Sequence, residues 1–141
     1  MKGDEIKYDI GLENGNYVIR EKTGNYEIPL SDRIFNFVVR VIKYLKRFKH
    51  STINNVIIFQ LTKASSSIGA NYDEAQGTSS KNDFIAKVAI SHREAKESHY
   101  WLRIIKGSEL DDSNELNWLI QESFEIRNIL GSIVGKARRN K

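Results

Sequence analysis

The chain has 141 residues, a length that suits a single domain with one hydrophobic core. It contains no Cys and 40% hydrophobic residues, which excludes a disulfide scaffold and thiolate metal sites and favours a globular protein of the reducing cytoplasm. Its formal net charge is +4, and no apolar run approaches the ~20 residues of a membrane-spanning helix, so we expect no membrane association.

The first thirty residues are predicted to form an N-terminal arm. Asn14-Gly15 lies between two short segments, residues 8–12 and 17–20, and this dipeptide is typical of a two-residue β-hairpin turn. Because an isolated hairpin is only marginally stable, it would have to dock on the rest of the chain or on a neighbouring subunit. A partly disordered arm is the alternative.

The first predicted helix covers residues 31–49. Ser31 is placed to cap its start, with Asp32 in the first turn, where a carboxylate faces the positive end of the helix. Five polar residues, spaced three and four apart, form one narrow stripe: Arg33, Asn36, Arg40, Lys43 and Arg47. Nearly every other position is apolar, a wider arc than one core requires, so we expect this helix to pack against another subunit as well.

Two long helices are predicted to follow, over residues 51–76 and 80–106. Gly77 supplies the natural stop between them, because glycine tolerates the backbone conformation that ends a helix. Ser80 and Asp83 have the spacing of a capping box at the start of the second of these helices. Small residues in the apolar seam of that helix permit another helix to approach closely.

The last predicted helix covers residues 112–137. Asp112 and Glu115 are placed to cap its start. Gly131 and Gly135, four residues apart, indicate close helix packing near its end.

The predicted fold class is all-α. Because the loops between the helices are short, successive helices are expected to be antiparallel neighbours. The prediction is therefore an up-down-up-down antiparallel four-helix bundle over residues 31–141 with a basic C-terminal tail. A short hairpin or disordered arm at residues 1–30 precedes it.

The small net charge hides a segregated pattern. Residues 1–32 carry a net charge of −3, residues 33–72 carry +7, residues 73–125 carry −5 and residues 126–141 carry +5. Such segregation favours a partner that is attracted electrostatically more than the net value does. Unevenly charged solvated faces are the alternative, since helical proteins often carry them.

No residue pattern typical of an enzyme or a metal site stands out. A di-iron helical site needs Glu-x-x-His on two helices, and no Glu in the chain is followed three residues later by His. His92 and His99 are seven residues apart and could share a helix face, but no set of acids converges on them. The pair Glu94 and Glu97 is more typical of salt bridges than of acid–base catalysis. We therefore predict a non-enzymatic protein with no catalytic residue, metal or cofactor; a deep polar pocket around these four residues would instead favour an enzyme.

A resemblance to a known bacterial family begins at residue 64. The segments ASSSIGANYDEA at residues 64–75 and SKNDFIAK at residues 80–87 resemble the "four helix bundle protein" family. This family includes proteins encoded by intervening sequences inside 23S ribosomal RNA genes and the accessory variability protein of diversity-generating retroelements. Many relatives read Asn-Ile-Ala-Glu-Gly where this chain has Tyr72 and Asp73 after the matching Asn. The matching positions that form a structural signature are Asn71, Glu74, Asp83, Phe84, Glu94, Glu97 and Trp101.

The resemblance implies a fold and partners but no catalytic role. It implies an up-down four-helix bundle that assembles as a ring- or barrel-shaped homopentamer, which would cover the surplus apolar arc of the first helix. From the retroelement member, it implies binding of nucleic acid and of a partner reverse transcriptase through a basic surface. Most members of the family have no established function.

Two functions remain open on the sequence. The first is a nucleic-acid-binding accessory or scaffold protein, in which RNA or DNA is held by charge and shape because no base-reading motif is present. The candidate phosphate-contacting residues are Arg33, Arg40, Lys43, Arg47, Lys136, Arg138 and Arg139. The second is an oligomeric protein-interaction module, in which these bases pair with the acidic block of a neighbouring subunit. An exposed basic stripe favours the first function, and a stripe buried against a neighbour favours the second.

Overall fold

The computed structural model describes residues 7–22 and 28–139, so the remaining positions of the predicted arm and the last two residues of the basic tail lie outside the described residues. Two antiparallel strands, β1 and β2, come first, and four helices, α1 to α4, follow. Their bounds are β1 Lys7–Glu13, β2 Asn16–Lys22, α1 Leu30–Leu45, α2 Thr52–Ala75, α3 Lys81–Gly107 and α4 Asn114–Arg139. The chain is thus mostly helical, and the presence of four helices and of the N-terminal hairpin is confirmed. The first helix ends at Leu45, four residues before its predicted end, so Arg47 lies in the turn that follows it.

The hairpin turn has the geometry that its sequence predicts. Asn14 and Gly15 both have positive φ angles, of 54° and 80°, which is the pattern of a type I′ turn. This turn sets the strand register, in which Glu13 pairs with Asn16 and Leu12 pairs with Tyr17.

The hairpin docks on the turn between α2 and α3. The Gly77 N–H donates to the Tyr17 carbonyl at 2.8 Å, and the Tyr17 N–H donates to the Thr78 carbonyl at 2.6 Å. One position further along β2, the Ile19 N–H donates to Oε1 of Gln76 at 2.9 Å. These bonds occupy backbone groups at the outer edge of β2, an edge that would otherwise attract other chains.

The start of α1 differs from the prediction. The helix begins at Leu30, and its first N–H donates to both carboxylate oxygens of Glu21, at 2.8 and 3.0 Å. Ser31 therefore lies inside the helix, and its predicted capping role is wrong. The cap comes instead from the end of β2, since a carboxylate is favoured at the positive end of a helix; burial raises the pKa of Glu21.

The starts of α3 and α4 are capped by serine hydroxyls. Ser80 accepts a hydrogen bond from the Asp83 N–H at 3.3 Å, which confirms the predicted start of α3. Ser113 accepts one from the Leu116 N–H at 3.2 Å. The predicted capping of α4 by Asp112 is therefore wrong by one residue, because the helix begins at Asn114 and the residue directly before it occupies the cap position.

All four helices contribute to one apolar core. The buried Ser91 hydroxyl on α3 donates to the Ile68 carbonyl on α2 at 2.8 Å, which shows how small polar residues in the seam let two helices approach. Fully buried core side chains from the four helices include Ile34, Phe37, Leu61, Ile68, Phe84, Leu102, Leu119 and Ile126. Burial of each contributes roughly 1.5–3 kcal/mol. None of the helices in the described ranges has an apolar stretch that could cross a bilayer.

Candidate nucleic-acid interface

The first base of the predicted stripe, Arg33, is bonded to carboxylates of α4. Arg33 donates from Nε and Nη2 to the two carboxylate oxygens of Glu122, each at 2.8 Å, and from Nη2 to Glu125 at 2.6 Å. The Arg33 side chain is only 19% exposed. Such a two-pronged, charge-assisted contact is among the stronger polar interactions in proteins, and the bonds to Glu122 raise the pKa of Arg33.

The next basic residue of the stripe, Arg40, is held in a similar way. It donates from Nε and Nη2 to the Glu115 carboxylate at 3.0 and 2.5 Å, and the bond lowers the pKa of Glu115. Its guanidinium carbon also lies 3.5 Å from the ring centroid of Trp118, a cation–π geometry. Arg40 remains 40% exposed.

Arg33 and Arg40 are thus paired with carboxylates of their own chain. These acids belong to the predicted acidic block, and the alternative in which the bases pair with the acidic block of a neighbouring subunit does not apply to Arg33 and Arg40. The reason is the register between α1 and α4, which sets Arg33 opposite Glu122 and Glu125.

The other two basic residues of the stripe, Lys43 and Arg47, face solvent. Neither makes an ion pair with any residue of the described ranges. Lys46 and Lys49 are exposed beside them, and we call Lys43, Lys46, Arg47 and Lys49 the α1 corner. A hollow of about 330 Å³ lies between Arg47, Lys49 and Asp111 of the loop before α4.

The three predicted bases at the end of α4 have different surroundings. Lys136 donates to the Tyr8 carbonyl of β1 at 2.7 Å, so it holds the hairpin against α4. Arg138 and Arg139 are exposed and make no ion pair within the described part of the chain. Two of the three bases therefore remain available to a phosphate.

Several signature residues at the α2–α3 contact have structural surroundings. Phe84 is fully buried and its ring lies 5.6 Å from that of Tyr17. Glu74 accepts from Lys87 Nζ at 2.9 Å, and the Asn71 amide donates to the carbonyl one turn earlier. Asp83 occupies the first turn of α3. These positions therefore shape the fold.

The remaining signature residues and the histidines lie on different faces of α3. Trp101 Nε1 donates to Glu97 at 3.4 Å, and Glu94 lies toward α2, where burial and then the nearby Glu97 raise its pKa. His92 and His99 contact α4 instead. No deep polar pocket brings the acids and histidines together, and the described ranges hold no group of three or more His, Asp or Glu side chains that could bind a metal ion.

A second basic surface, which the sequence reasoning missed, lies between α3 and α4. On α3, five basic or imidazole side chains follow one another at intervals of four and three residues: His92, Lys96, His99, Arg103 and Lys106. On α4, Ile120, Phe124 and Arg127 face them. We call this surface the α3–α4 groove. The seven-residue spacing of the two histidines indicated a shared helix face. The Lys and Arg residues between and after them have the same periodicity and therefore lie on that face too.

The surroundings of both histidines of the groove disfavour the charged imidazolium. Burial lowers the pKa of His99, and the charges of Arg127 and Arg103 lower it further. Burial likewise lowers the pKa of His92, together with Lys96 and Arg127. The positive charge of the groove therefore comes from its Lys and Arg side chains at neutral pH.

Gly131 and Gly135 have different environments. A Cβ on Gly131 would lie 3.0 Å from Nε2 of His92, so the glycine permits the close approach of α3 to α4 that its position predicted. A Cβ on Gly135 would meet the side chain of Arg139 on its own helix. Only Gly131 therefore serves the contact between these helices.

Comparison with known proteins relates the chain to one family. The family model described as "23S rRNA-intervening sequence protein" matches residues 28–132. A solved structure from Bacteroides thetaiotaomicron VPI-5482, described as a protein with unknown function from the S23 ribosomal protein family, is 30% identical. The match covers 75% of this chain and 98% of that one, with a TM-score of 0.66. No curated protein matches the chain significantly. The resemblance inferred from residues 64–105 is thereby confirmed.

Proposed function

Because the chain belongs to the 23S rRNA-intervening sequence protein family, we propose that it is a non-enzymatic accessory or scaffold protein of the cytoplasm that binds RNA or DNA. The relative from Bacteroides thetaiotaomicron is itself of unknown function, so the proposal rests on the surface of this chain. Binding is governed by charge, through phosphate contacts that do not depend on base sequence.

The α1 corner is the observation that carries this proposal. Its four bases lie within seven consecutive residues, face solvent and make no ion pair in the described ranges. Exposed bases that are not paired with an acid are the ones that can release counterions when they meet a phosphate. Arg33 and Arg40 contribute less, because a phosphate would have to compete with Glu122 and Glu115.

Assembly into a homopentamer is part of the proposal. An up-down-up-down antiparallel arrangement is supported by the contacts of α1 with α4, in which Arg33 meets Glu122 while Arg40 meets Glu115, so that the residue numbers run in opposite directions. The α1 corner lies near the start of α4, whereas Arg138 and Arg139 lie at its end, so a ring of five copies would repeat two separate positive surfaces. Repetition would strengthen binding without any new contact.

An oligomeric protein-interaction module is the second candidate function. It is favoured by the exposed apolar side chains of α1 and α2, where Phe35 is 66% exposed and Phe59 and Ile42 are also exposed. Exposed apolar patches of this kind mark contacts with protein. A reverse transcriptase, or another protein, would then be the partner, and nucleic acid would bind only to that partner.

A salt series with charge-reversed variants tests the nucleic-acid function. Binding of a labelled RNA and of a DNA of equal length is measured by fluorescence anisotropy for the wild type and for Lys43→Glu/Arg47→Glu. The variant is expected to bind more weakly and to lower the slope of log K against log salt by about 2 per bound subunit, since two phosphate contacts are lost. Lys43→Glu/Arg47→Glu leaves the ion pairs of Arg33 and Arg40 intact, so the fold is retained.

The matched control is Lys63→Glu/Arg93→Glu. It reverses one Lys and one Arg that are exposed on α2 and α3, outside the α1 corner, and changes the net charge by the same amount. The control is expected to keep most of the affinity and the slope of the wild type. Equal losses in both variants, or a wild-type affinity that does not change with salt, would contradict the proposal.

A further inference from the structure

We propose, on the basis of the proposed function, that the α3–α4 groove binds a single-stranded segment of nucleic acid. One unstacked base lies against the ring of Phe124, and the phosphates beside it contact Arg103 and Arg127. The groove thereby adds a preference for single strands to the charge-driven binding at the α1 corner.

The groove has a hollow of suitable size. Its volume is about 520 Å³, and its lining includes His99, Arg103, Ile120 and Phe124. The hollow is open to solvent, so it offers a surface on which one planar group can lie and does not enclose a ligand. Ile120 and Phe124 supply the apolar floor here, and one nucleotide has the matching combination of an apolar face and a charged edge.

The charge along the groove is positive, and most of it is not neutralised by ion pairs within the described ranges. Lys96, Arg103, Arg127 and Arg138 make no ion pair with any residue of the described ranges. Lys106 at one end donates to Asn117 Oδ1 at 2.6 Å and lies 3.9 Å from Asp112.

The acids of α3 do not compensate this charge. Glu94 and Glu97 lie on the opposite face of the helix, toward α2. On α4, Glu122 is bonded to Arg33 of α1, and Glu125 is shared between Arg33 and Gln121 at the edge of the hollow. A ligand in the groove therefore meets a row of cations, and a polyanion is the complementary partner.

Phe124 is the feature that selects a single strand. The side chain is on the outer surface of α4 and is 42% exposed. The Cζ atom of Arg127 lies 5.6 Å from its ring centroid, and the His99 ring lies 5.7 Å away. Cations alone would serve a duplex as well as a single strand, because both present phosphates. An exposed aromatic ring among cations serves a base that is not stacked in a helix, and such stacking contributes roughly 1–3 kcal/mol per base.

The floor of the groove is held rigidly by His99. Its Nδ1 lies 3.2 Å from the Ile120 carbonyl and 3.0 Å from the Ser123 hydroxyl. Because the carbonyl only accepts, Nδ1 carries the proton in this arrangement. The ring is thereby fixed beside Phe124, so the aromatic surface is preorganised before a base arrives.

A base-stacking probe tests this inference directly. A twelve-nucleotide RNA with 2-aminopurine at its centre is titrated with the protein, both as a single strand and in a duplex with its complement. We expect the fluorescence of the single strand to fall on binding, because stacking quenches 2-aminopurine. In Phe124→Leu, which keeps an apolar side chain, quenching should be lost and single-strand affinity should fall by about 5- to 50-fold, as expected for one stacked base. Duplex affinity should change less than twofold.

Two further variants complete the experiment. Trp118→Leu removes an aromatic ring of similar exposure, 37% against 42%, from another face of α4 and should leave both affinities and the quenching unchanged. Arg103→Gln/Arg127→Gln should weaken single-strand binding while the thermal unfolding midpoint stays within a few degrees of the wild type, because neither base makes an ion pair with the described part of the chain.

The outcomes separate this inference from the proposed function. If Phe124→Leu binds and quenches like the wild type while Lys43→Glu/Arg47→Glu loses affinity, the single-strand site is overturned and the proposed function stands. If the wild type binds the duplex as tightly as the single strand, the inference is also overturned. If neither probe is bound at low salt, the proposed function falls together with it.

Discussion

At the scale of single residues, Arg33 and Arg40 of the α1 stripe contribute differently to stability, because their ion pairs differ in exposure to solvent. Arg33 is bound to a carboxylate, Glu122, whose side chain is only 11% exposed. Arg40 is bound to Glu115 nearer the surface, where water screens the pair. The pair of Arg33 therefore contributes to holding α1 on α4, whereas the pair of Arg40 contributes little to stability.

Removal of these arginines should have unequal effects. Arg33→Met leaves the buried Glu122 without its partner, and we expect the free energy of unfolding to fall by about 3 kcal/mol. Arg40→Met, the matched control on the same stripe, should cost about 1 kcal/mol. Urea denaturation at neutral pH measures both values. The double variant Arg33→Met/Glu122→Leu should recover most of the loss, and equal losses for the two single variants would show that burial of the carboxylate does not decide the effect.

At the scale of elements, the hairpin is hydrogen-bonded to the helical part of the fold at three places. It pairs with the α2–α3 turn through Tyr17 and Ile19, caps α1 through Glu21, and accepts a bond from Lys136 of α4. A two-stranded hairpin is only marginally stable alone, so these contacts account for its formation. They also explain why α1 starts at Leu30, since the Glu21 carboxylate of β2 accepts the hydrogen bond of its first N–H.

The turn of the hairpin should control its docking. Gly15 has a φ angle of +80°, which costs a residue with a side chain roughly 1–2 kcal/mol. In Gly15→Ala we expect the Ile19 amide, bonded to Gln76, to exchange its hydrogen about 5- to 30-fold faster, because the hairpin opens more often. Hydrogen exchange followed by NMR measures this rate. Gly107→Ala is the control, since an added Cβ there meets open space; faster exchange of the Ile19 amide in that variant too would contradict the turn as the cause.

At the scale of the whole molecule, apolar side chains on α1 and α2 remain uncovered by the chain itself. Phe35, Ile42 and Phe59 are exposed after the core has been filled by one face of each helix. The surplus apolar arc that the sequence predicts for α1 is thus present on the surface. We expect a second copy of the chain to cover it.

A charge placed in this apolar surface should dissociate the assembly. For the wild type we expect a mass above that of one chain in sedimentation velocity experiments, and for Phe35→Glu a shift to the mass of one chain, because a buried carboxylate at an interface lacks a partner. Phe35 is exposed within one chain, so the fold is retained. Leu12→Glu, a similarly exposed apolar position on the hairpin, is the control and should keep the wild-type mass. A wild type that sediments as a single chain, or a Phe35→Glu variant with unchanged mass, would contradict the assembly.

The sequence by itself determined the elements and the family of this protein. The spacing of apolar residues predicted four helices, Asn14-Gly15 predicted the hairpin turn, and Ser80 predicted the start of α3, because each depends on residues close together in the chain. Residues 64–105 carried the family resemblance for the same reason. The predicted cap of α4 was only one residue away from the observed cap, Ser113, because a capping residue lies next to its helix in the chain.

Only the tertiary structure decided which charges are available to a partner. Arg33 and Lys43 belong to the same stripe in the sequence, yet one is locked to α4 and the other faces solvent, because the register between helices is set by packing across about ninety residues of chain. Tertiary packing also brings Glu21 of β2 to the start of α1. It likewise places Arg103 of α3 beside Phe124 and Arg127 of α4. Contacts between distant segments depend on how the core packs, and a pattern read along the chain does not contain that information.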